Sequence, residues 1–313
     1  MTGAPLDLLV LGDCNPDLIL SDPGLTPVFG QVETLVERSE LTIGGSGAIM
    51  ACAAARLGLR TAIAGVVGDD LFGHYMVEAL AARGVDTRGI VVDPAARTGL
   101  TVILSRNGDR AILTDPGSIA ALSADRVDPD LLRRARHVHV SSYYLQTALA
   151  PGLGGLFAAA RRGGATTSVD PNWDPAEVWD SGLPALLAEI DILLPNAAEL
   201  RGIAGGAPDP HRAAEQLAAA GPLVVVKLGD DGALAVRRGK APVTAGPPRG
   251  TEPVDTVGAG DTFDAGLLCG LLAGEPLPDA LSLACVCGAL STRSAGGTAG
   301  QPSLEEARAA RAG

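Results

Sequence analysis

Short apolar runs bounded by turn residues alternate with Ala-rich stretches along nearly the whole chain, and that alternation leaves few folds open. Leu6 to Leu11 is one continuous apolar run, the signature of a strand in a sheet covered on both faces. Further strands are predicted at Thr61 to Val67, His137 to Val140, Thr166 to Asp170, Ile190 to Leu194 and Leu223 to Leu228. Helices are predicted at Ala48 to Leu57, Leu71 to Arg83, Leu153 to Arg162, Ala197 to Ile203 and Arg212 to Ala219. Strands that alternate with helices pair in parallel through crossover connections, so the expected class is α/β with a mainly parallel sheet. Ala233 to Val236 and Pro242 to Thr244 read as antiparallel edge strands. The C-terminus reads as helices at Thr262 to Leu272 and Leu277 to Arg293, with a last polar helix after Pro302. A chain of 313 residues, 47% hydrophobic and 19% charged, is long enough to bury one α/β core, so a single domain is expected.

Two stretches break the alternation. Ser21 to Thr42 is polar, contains proline and is only weakly strand-like; Thr98 to Thr114 reads as two strands around Asn107-Gly108, a strong hairpin signal. They are expected to form a small β lid over the sheet edge, from segments at about 14–43 and 98–115.

Charge and cysteine content exclude several functions. With 24 basic and 36 acidic residues the formal net charge is −12, the reverse of a nucleic-acid-binding footprint. The five cysteines form no disulfide-like framework and sit mostly in apolar settings, which fits a reducing cytoplasm. Cys285 and Cys287 lie in an apolar run without a nearby His or second Cys pair, so they read as packing residues rather than metal ligands. No signal-peptide pattern precedes the first strand, and no apolar run approaches the roughly 18 residues of a membrane span.

The functional signal is concentrated in Asp255-Thr256-Val257-Gly258-Ala259-Gly260-Asp261. Glycines there let the backbone turn tightly and bare its N–H groups just before a helix, which makes an anion pocket ending in a carboxylate. Such a pocket suits phosphoryl transfer: the amides stabilise developing negative charge, and Asp261 accepts the proton of an attacking hydroxyl. Read alone, the same residues also fit an ordinary loop with an N-terminal helix carboxylate. Asp13, Asn15 and Asp17 follow the first strand, at the end where open α/β sheets bind ligands, although Asp and Asn also serve turns. Gly44-Gly45-Ser46-Gly47 precedes a helix and permits either close ligand approach or close helix packing. Asn196 and Glu199 have the spacing of a capping box. His137 and His139 alternate with valines on a strand and read as structural.

Taken in order, these motifs resemble the ribokinase-like, or pfkB, carbohydrate kinases over nearly the whole chain. Gly44 to Gly47 with Ala53 to Gly58 is similar to the N-terminal family signature, and Asp255 to Asp261 with Thr262-Phe263-Asp264-Ala265-Gly266 to the C-terminal one. Gly65 to Gly73, Asn196 to Glu199 and Lys227 to Gly232 fall between them in the expected order. The resemblance implies a three-layer α/β/α fold with a β lid, ATP as donor and Mg2+ as cofactor. It implies Asp261 as base, with the amides of Gly258, Ala259 and Gly260 on the transferring phosphoryl group. It also implies Asp17, Asn15, Gly44 and Gly45 on the substrate; Asn196, Lys227, Gly229 and Gly232 on the nucleotide; and Glu199 on the metal through water. In some relatives carbonyls like those of Asp255 and Val257, with the Gly296-Gly297 segment, hold a monovalent cation, and the lid pairs two copies as a homodimer; both stay open here. No Walker sequence and no Gly-x-Gly-x-x-Gly after the first strand occurs, which removes P-loop and Rossmann alternatives.

The implied acceptor is a sugar, a sugar-like polyol or, as the alternative, a nucleoside; a non-catalytic binding paralogue is the third possibility. Two departures bear on the acceptor. Ile49 stands where many relatives have Asn, which is expected to make part of the pocket more apolar. Trp173 and Asp174 stand where sugar-acid kinases often carry Arg, which disfavours a carboxylate-bearing substrate. For a nucleoside base, Phe29, Tyr143 and Tyr144 are the available rings, although burial is expected for the tyrosines.

Overall fold

Leu8 and Val10 on one side of the first strand and Leu9 and Leu11 on the other are all fully buried, so this strand lies inside a sheet with helices on both faces. The computed structural model describes residues 5–107, 109–248, 250 and 252–312. In chain order it begins with β1 (Leu6–Leu11), β2 (Pro16–Ser21), β3 (Arg38–Ile43), α1 (Ser46–Arg56), β4 (Thr61–Gly68), α2 (Leu71–Ala82) and β5 (Asp86–Asp93). There follow β6 (Leu100–Arg106), β7 (Asp109–Asp115), α3 (Pro129–Arg134), β8 (Ala135–Val140), α4 (Ala150–Arg162), β9 (Thr166–Val169), α5 (Leu183–Leu186) and β10 (Ile192–Leu193). The remainder is α6 (Ala197–Ile203), α7 (Pro210–Ala218), β11 (Leu223–Lys227), β12 (Ala233–Val236), β13 (Val243–Ala245), α8 (Ala259–Leu272), α9 (Leu277–Ser291) and α10 (Leu304–Ala312).

Among the described residues the main sheet has nine strands in the order β13-β12-β11-β10-β9-β8-β1-β4-β5, parallel except for β12 and β13. Leu131, Phe157, Leu200 and Leu217 pack on one face; Met50, Met76, Leu267 and Leu281 pack on the other. Helices on both faces complete the three layers. From β1 the chain passes to β4 on one side, while β8 flanks it on the other, so the C-terminal end of β1 opens into a crevice.

The second sheet has the order β3-β2-β6-β7 and is built from the two irregular stretches of the sequence. Its β6–β7 pairing runs to Arg106↔Asp109, which brackets the expected Asn107-Gly108 turn; Gly108 lies outside the described residues. Between Ser21 and Thr42 only β3 is strand. Three elements are absent from the sequence pattern. β5 is an edge strand with only three consecutive apolar residues among Asp, Arg and Gly, and α3 and α5 are too short to show a helical period. Helix α8 starts at Ala259, ahead of the predicted Thr262, because Gly258 at φ 72 serves as its N-cap and brings Gly260 and Asp261 into the first turn.

Candidate active site

The site is assembled from residues that leave β1 and residues that begin α1 and α8. Asp13, just beyond β1, is buried and its carboxylate accepts from Ser46 N at 3.0 Å and Gly47 N at 2.9 Å, which fixes the start of α1. Asp17 lies on β2, paired with Thr42 and Thr101, and is also buried. Its carboxylate fills the space a Cβ at Gly44 would need, so only glycine allows this approach. Burial, helped by repulsion from Asp13, pushes the Asp17 carboxyl up to about 7. Asn15 is 2% exposed; its amide donates to Thr101 Oγ1 at 3.3 Å while its Oδ1 is buried without a partner beside Gly45. A polar oxygen in that state calls for a hydroxyl or water donor.

Across the crevice, Gly258 turns the chain into α8, whose first residues Ala259 and Gly260 line a cleft of about 280 Å³. A helix N-terminus aimed into a cleft is an anion site. Asp261 follows, partly buried, and accepts a hydrogen bond from Ser46 Oγ on Oδ1. Burial and the neighbouring Asp170 push its carboxyl up to about 7, while Ser46 and Lys227 oppose the shift. A carboxyl of that kind is ionised above neutrality and basic enough to take a proton.

Beneath the anion turn lies a buried ion cluster. Lys227, at the end of β11, donates from Nζ to Asp170 at 2.7 Å and to Asp264 at 3.2 Å. A Cβ placed on Gly260 would sit 3.6 Å from that ammonium. Despite burial, Asp170 and Asp264 hold the ammonium protonated, and despite burial Lys227 keeps Asp170 below the usual carboxylate range. Burial drives the Asp264 carboxyl well above that range, while Lys227 opposes the shift.

Asn196 and Glu199 form a full capping box at the start of α6, with Asn196 N donating to Glu199 Oε2 at 2.8 Å and Asn196 Nδ2 to Oε1 at 2.6 Å. Burial and the Asp170 charge push Glu199 up to about 7. A bridge between Asn196 and Lys227 sets this cap beside the ion cluster. The cleft itself is bordered by Lys227, Gly229, Gly232, the prolines 247, 248 and 253, Phe263 and Cys285. It therefore combines an apolar wall with amides and a buried cation. Among the described residues no group of three or more His, Cys, Asp and Glu is disposed to hold a metal directly.

Other sequence expectations resolve differently. Ile49 has a buried side chain that packs against Gly258 and Gly297, where a Cβ on either glycine would collide with it. Asp174 accepts backbone N–H bonds from Ala176, Val178 and Trp179 at 2.6–2.9 Å and so shapes its own loop. Trp173 is half-exposed, edge-on to Trp179. Tyr143 and Tyr144 are buried and donate to the carbonyls of Ser181 and Trp179, while Phe29 is fully exposed. His137 and His139 share Ser168 between β8 and β9, and burial lowers them to about 3 and about 4, so both are neutral struts. All five cysteines are free and buried. Asp255 accepts from Val257 N at 3.0 Å and Gly296 N at 2.9 Å, joining the two segments named for a cation, and pairs with Arg110 of β7 at 3.3 Å. Ser46 and Asp264 lie within the two signature motifs and Asp170 ends a predicted strand, and the sequence reading assigns none of the three a role. Asp264 stands one helical turn from Asp261, and Asp170 follows a strand at the ligand end, signals that suffice to suspect both.

Comparison with known proteins shows the family of the chain. The profile of the pfkB family carbohydrate kinases matches residues 6–304. A fructokinase of Klebsiella pneumoniae is 35% identical over 279 residues, 83% of this chain and 88% of its own. A ribokinase of Haemophilus influenzae is 28% identical over 309 residues, 96% of each chain. An Escherichia coli protein assigned as a ribokinase II, solved in complex with ATP and Mg2+, superposes with a TM-score of 0.84 at 27% identity, over 97% of this chain and 98% of that one.

Proposed function

The chain belongs to the pfkB family of carbohydrate kinases, and we propose that it transfers the terminal phosphoryl group of ATP to a hydroxyl, in the first place a primary one, of a sugar or sugar-like polyol. The observation that carries this reading is the first turn of α8, where Ala259 and Gly260 line the cleft and Asp261 follows directly after them. Asp261 takes the proton of the attacking hydroxyl, and the amides of Gly258, Ala259 and Gly260 receive the charge that builds on the phosphoryl oxygens. Asp17 and Asn15 face the acceptor: an ionised carboxylate accepts two neighbouring hydroxyls, and the free Oδ1 of Asn15 accepts a third. Gly44 and Gly45 let the acceptor ring approach the backbone.

Gly229, Gly232, Lys227 and Asn196 border the nucleotide in this reading, with the apolar wall of the cleft against its base. Bound ATP with magnesium supplies the activated phosphoryl group. Glu199, with both oxygens already held by Asn196, suits a hold on the metal through water. The segments joined by Asp255 suit a monovalent cation.

A screen for ADP release across sugars, polyols and nucleosides, with and without potassium, tests the assignment. Turnover is expected with a sugar or polyol; preference for nucleosides, or no ADP above background with any acceptor, contradicts it. In the same assay Asp17→Ala is expected to raise the acceptor KM on the order of tenfold or more while the ATP KM holds, since a lost charged hydrogen bond affects only the group it binds. Equal effects on both would remove Asp17 from the acceptor site.

The four-stranded sheet, in this reading, is a lid over the acceptor and the contact between two copies. Its edge strand β7 exposes Ile112 and Leu113 on opposite faces, 54% and 59% accessible, and Phe29, Val32 and Leu35 in the segment before β3 are exposed as well. Apolar edge strands of this kind require a cover. Sedimentation is expected to give a dimer that Ile112→Asp/Leu113→Asp dissociates; a monomeric wild type refutes it.

A further inference from the structure

Ser46 is the residue whose hydroxyl touches Asp261, and its own backbone is clamped. Ser46 N and the next amide, Gly47 N, both donate to the buried Asp13 carboxylate, so the first turn of α1 is pinned to the exit of β1. Gly45, the N-cap of α1, and Gly44 immediately precede it. The tether of the proposed base and the proposed acceptor turn are therefore consecutive residues. We propose that Ser46 is a positioning residue for phosphoryl transfer: its hydroxyl holds Oδ1 of Asp261 and leaves Oδ2 to face the acceptor alcohol.

This rests on the reading of Asp261 as base. As the acceptor oxygen bonds to phosphorus, its proton passes to Oδ2, and the bond from phosphorus to the ADP oxygen breaks with its electron pair left on ADP. A carboxylate held at one oxygen presents the other in a single orientation, which is where an enzyme gains from a fixed base. The Ser46 donor also stabilises the charged carboxylate against burial and against Asp170. The other groups facing Asp261 are Lys227 from β11, Asp13 beyond β1 and Asp264 farther along α8, none of which the test variants alter. Position 46 also joins two parts of the reaction, because an acceptor that shifts Gly44 and Gly45 moves the tether with them.

The test compares Ser46→Ala, Ser46→Thr and Asp261→Asn by kcat, by the KM of each substrate and by the pH dependence of turnover. Ser46→Ala is expected to lower kcat on the order of tenfold, with the ATP KM unchanged. Its acid limb is expected at higher pH than in the wild type, because the proton-repelling donor is gone. Ser46→Thr, which keeps the hydroxyl, is expected to restore both. Wild-type kcat and an unmoved limb in Ser46→Ala overturn the proposal, as does Ser46→Thr behaving like Ser46→Ala. Asp261→Asn separates the two claims. If it is inactive while Ser46→Ala is indifferent, only the tether fails; if it turns over like the wild type, the base assignment itself fails.

Discussion

Asp261→Asn is expected to lower kcat by roughly 10³-fold, the usual contribution of a positioned general base, while the ATP KM stays put. Asn is nearly isosteric and can still meet Ser46, so the loss reports the missing proton acceptor. Wild-type turnover is expected to rise with pH through about 7, where the carboxyl ionises, and the residual activity of the variant lacks that limb. Stability moves the other way. The folded pKa is raised, so the native state binds a proton that the unfolded chain has lost between about pH 4 and 7. Above that window the buried charge costs folding free energy, and at pH 8 the Asn variant is expected to melt at a higher temperature than the wild type. A variant less stable than the wild type at pH 8 would contradict the burial of this charge. Activity within tenfold of wild type would contradict its role.

Lys227→Met is expected to cost about 3–5 kcal/mol of stability at neutral pH, because it leaves the Asp170 charge buried without its ammonium. Asp170 is 8% exposed, so water cannot replace Lys227. Asp170→Asn/Lys227→Met, which removes both charges, is expected to recover most of the loss. Asp264→Asn is expected to cost less than Lys227→Met, since burial already disfavours charge on that carboxyl. The pH dependence follows from the depressed Asp170. Its pairing stabilises the fold above the unfolded carboxyl pKa of about 4 and is lost as pH falls through the lower folded value, so the penalty of Lys227→Met shrinks in acid. Urea unfolding of the three variants reads these differences; a Lys227→Met loss under about 1 kcal/mol would mean that Asp170 finds another partner or is neutral.

Much of this architecture is legible along the chain, for local reasons. β1 has the predicted bounds, and β12 and α6 match theirs, because a buried apolar run and a capping box are local signals. β5 and α3 are not legible, since an edge strand with one wet face and a helix of under two turns carry no period. The motif positions are equally plain in the sequence, yet Ile49 shows the limit of motif comparison. Its place in the glycine motif is legible there, and its packing against Gly258 and Gly297 is not.

Sequence by itself determines the class of fold, the location of the glycine turns and the carboxylate that follows the second of them, because strand periodicity, helix caps and backbone freedom depend on neighbours within a few residues. The tertiary structure alone decides which of the acids are charged and what each one holds. Ser46, Asp170, Lys227 and Asp261 come from four distant segments, and only their burial in one place raises Asp261 to near neutrality, lowers Asp170 and raises Asp264. Desolvation and charge proximity are properties of a packed interior, and no spacing along the chain encodes them.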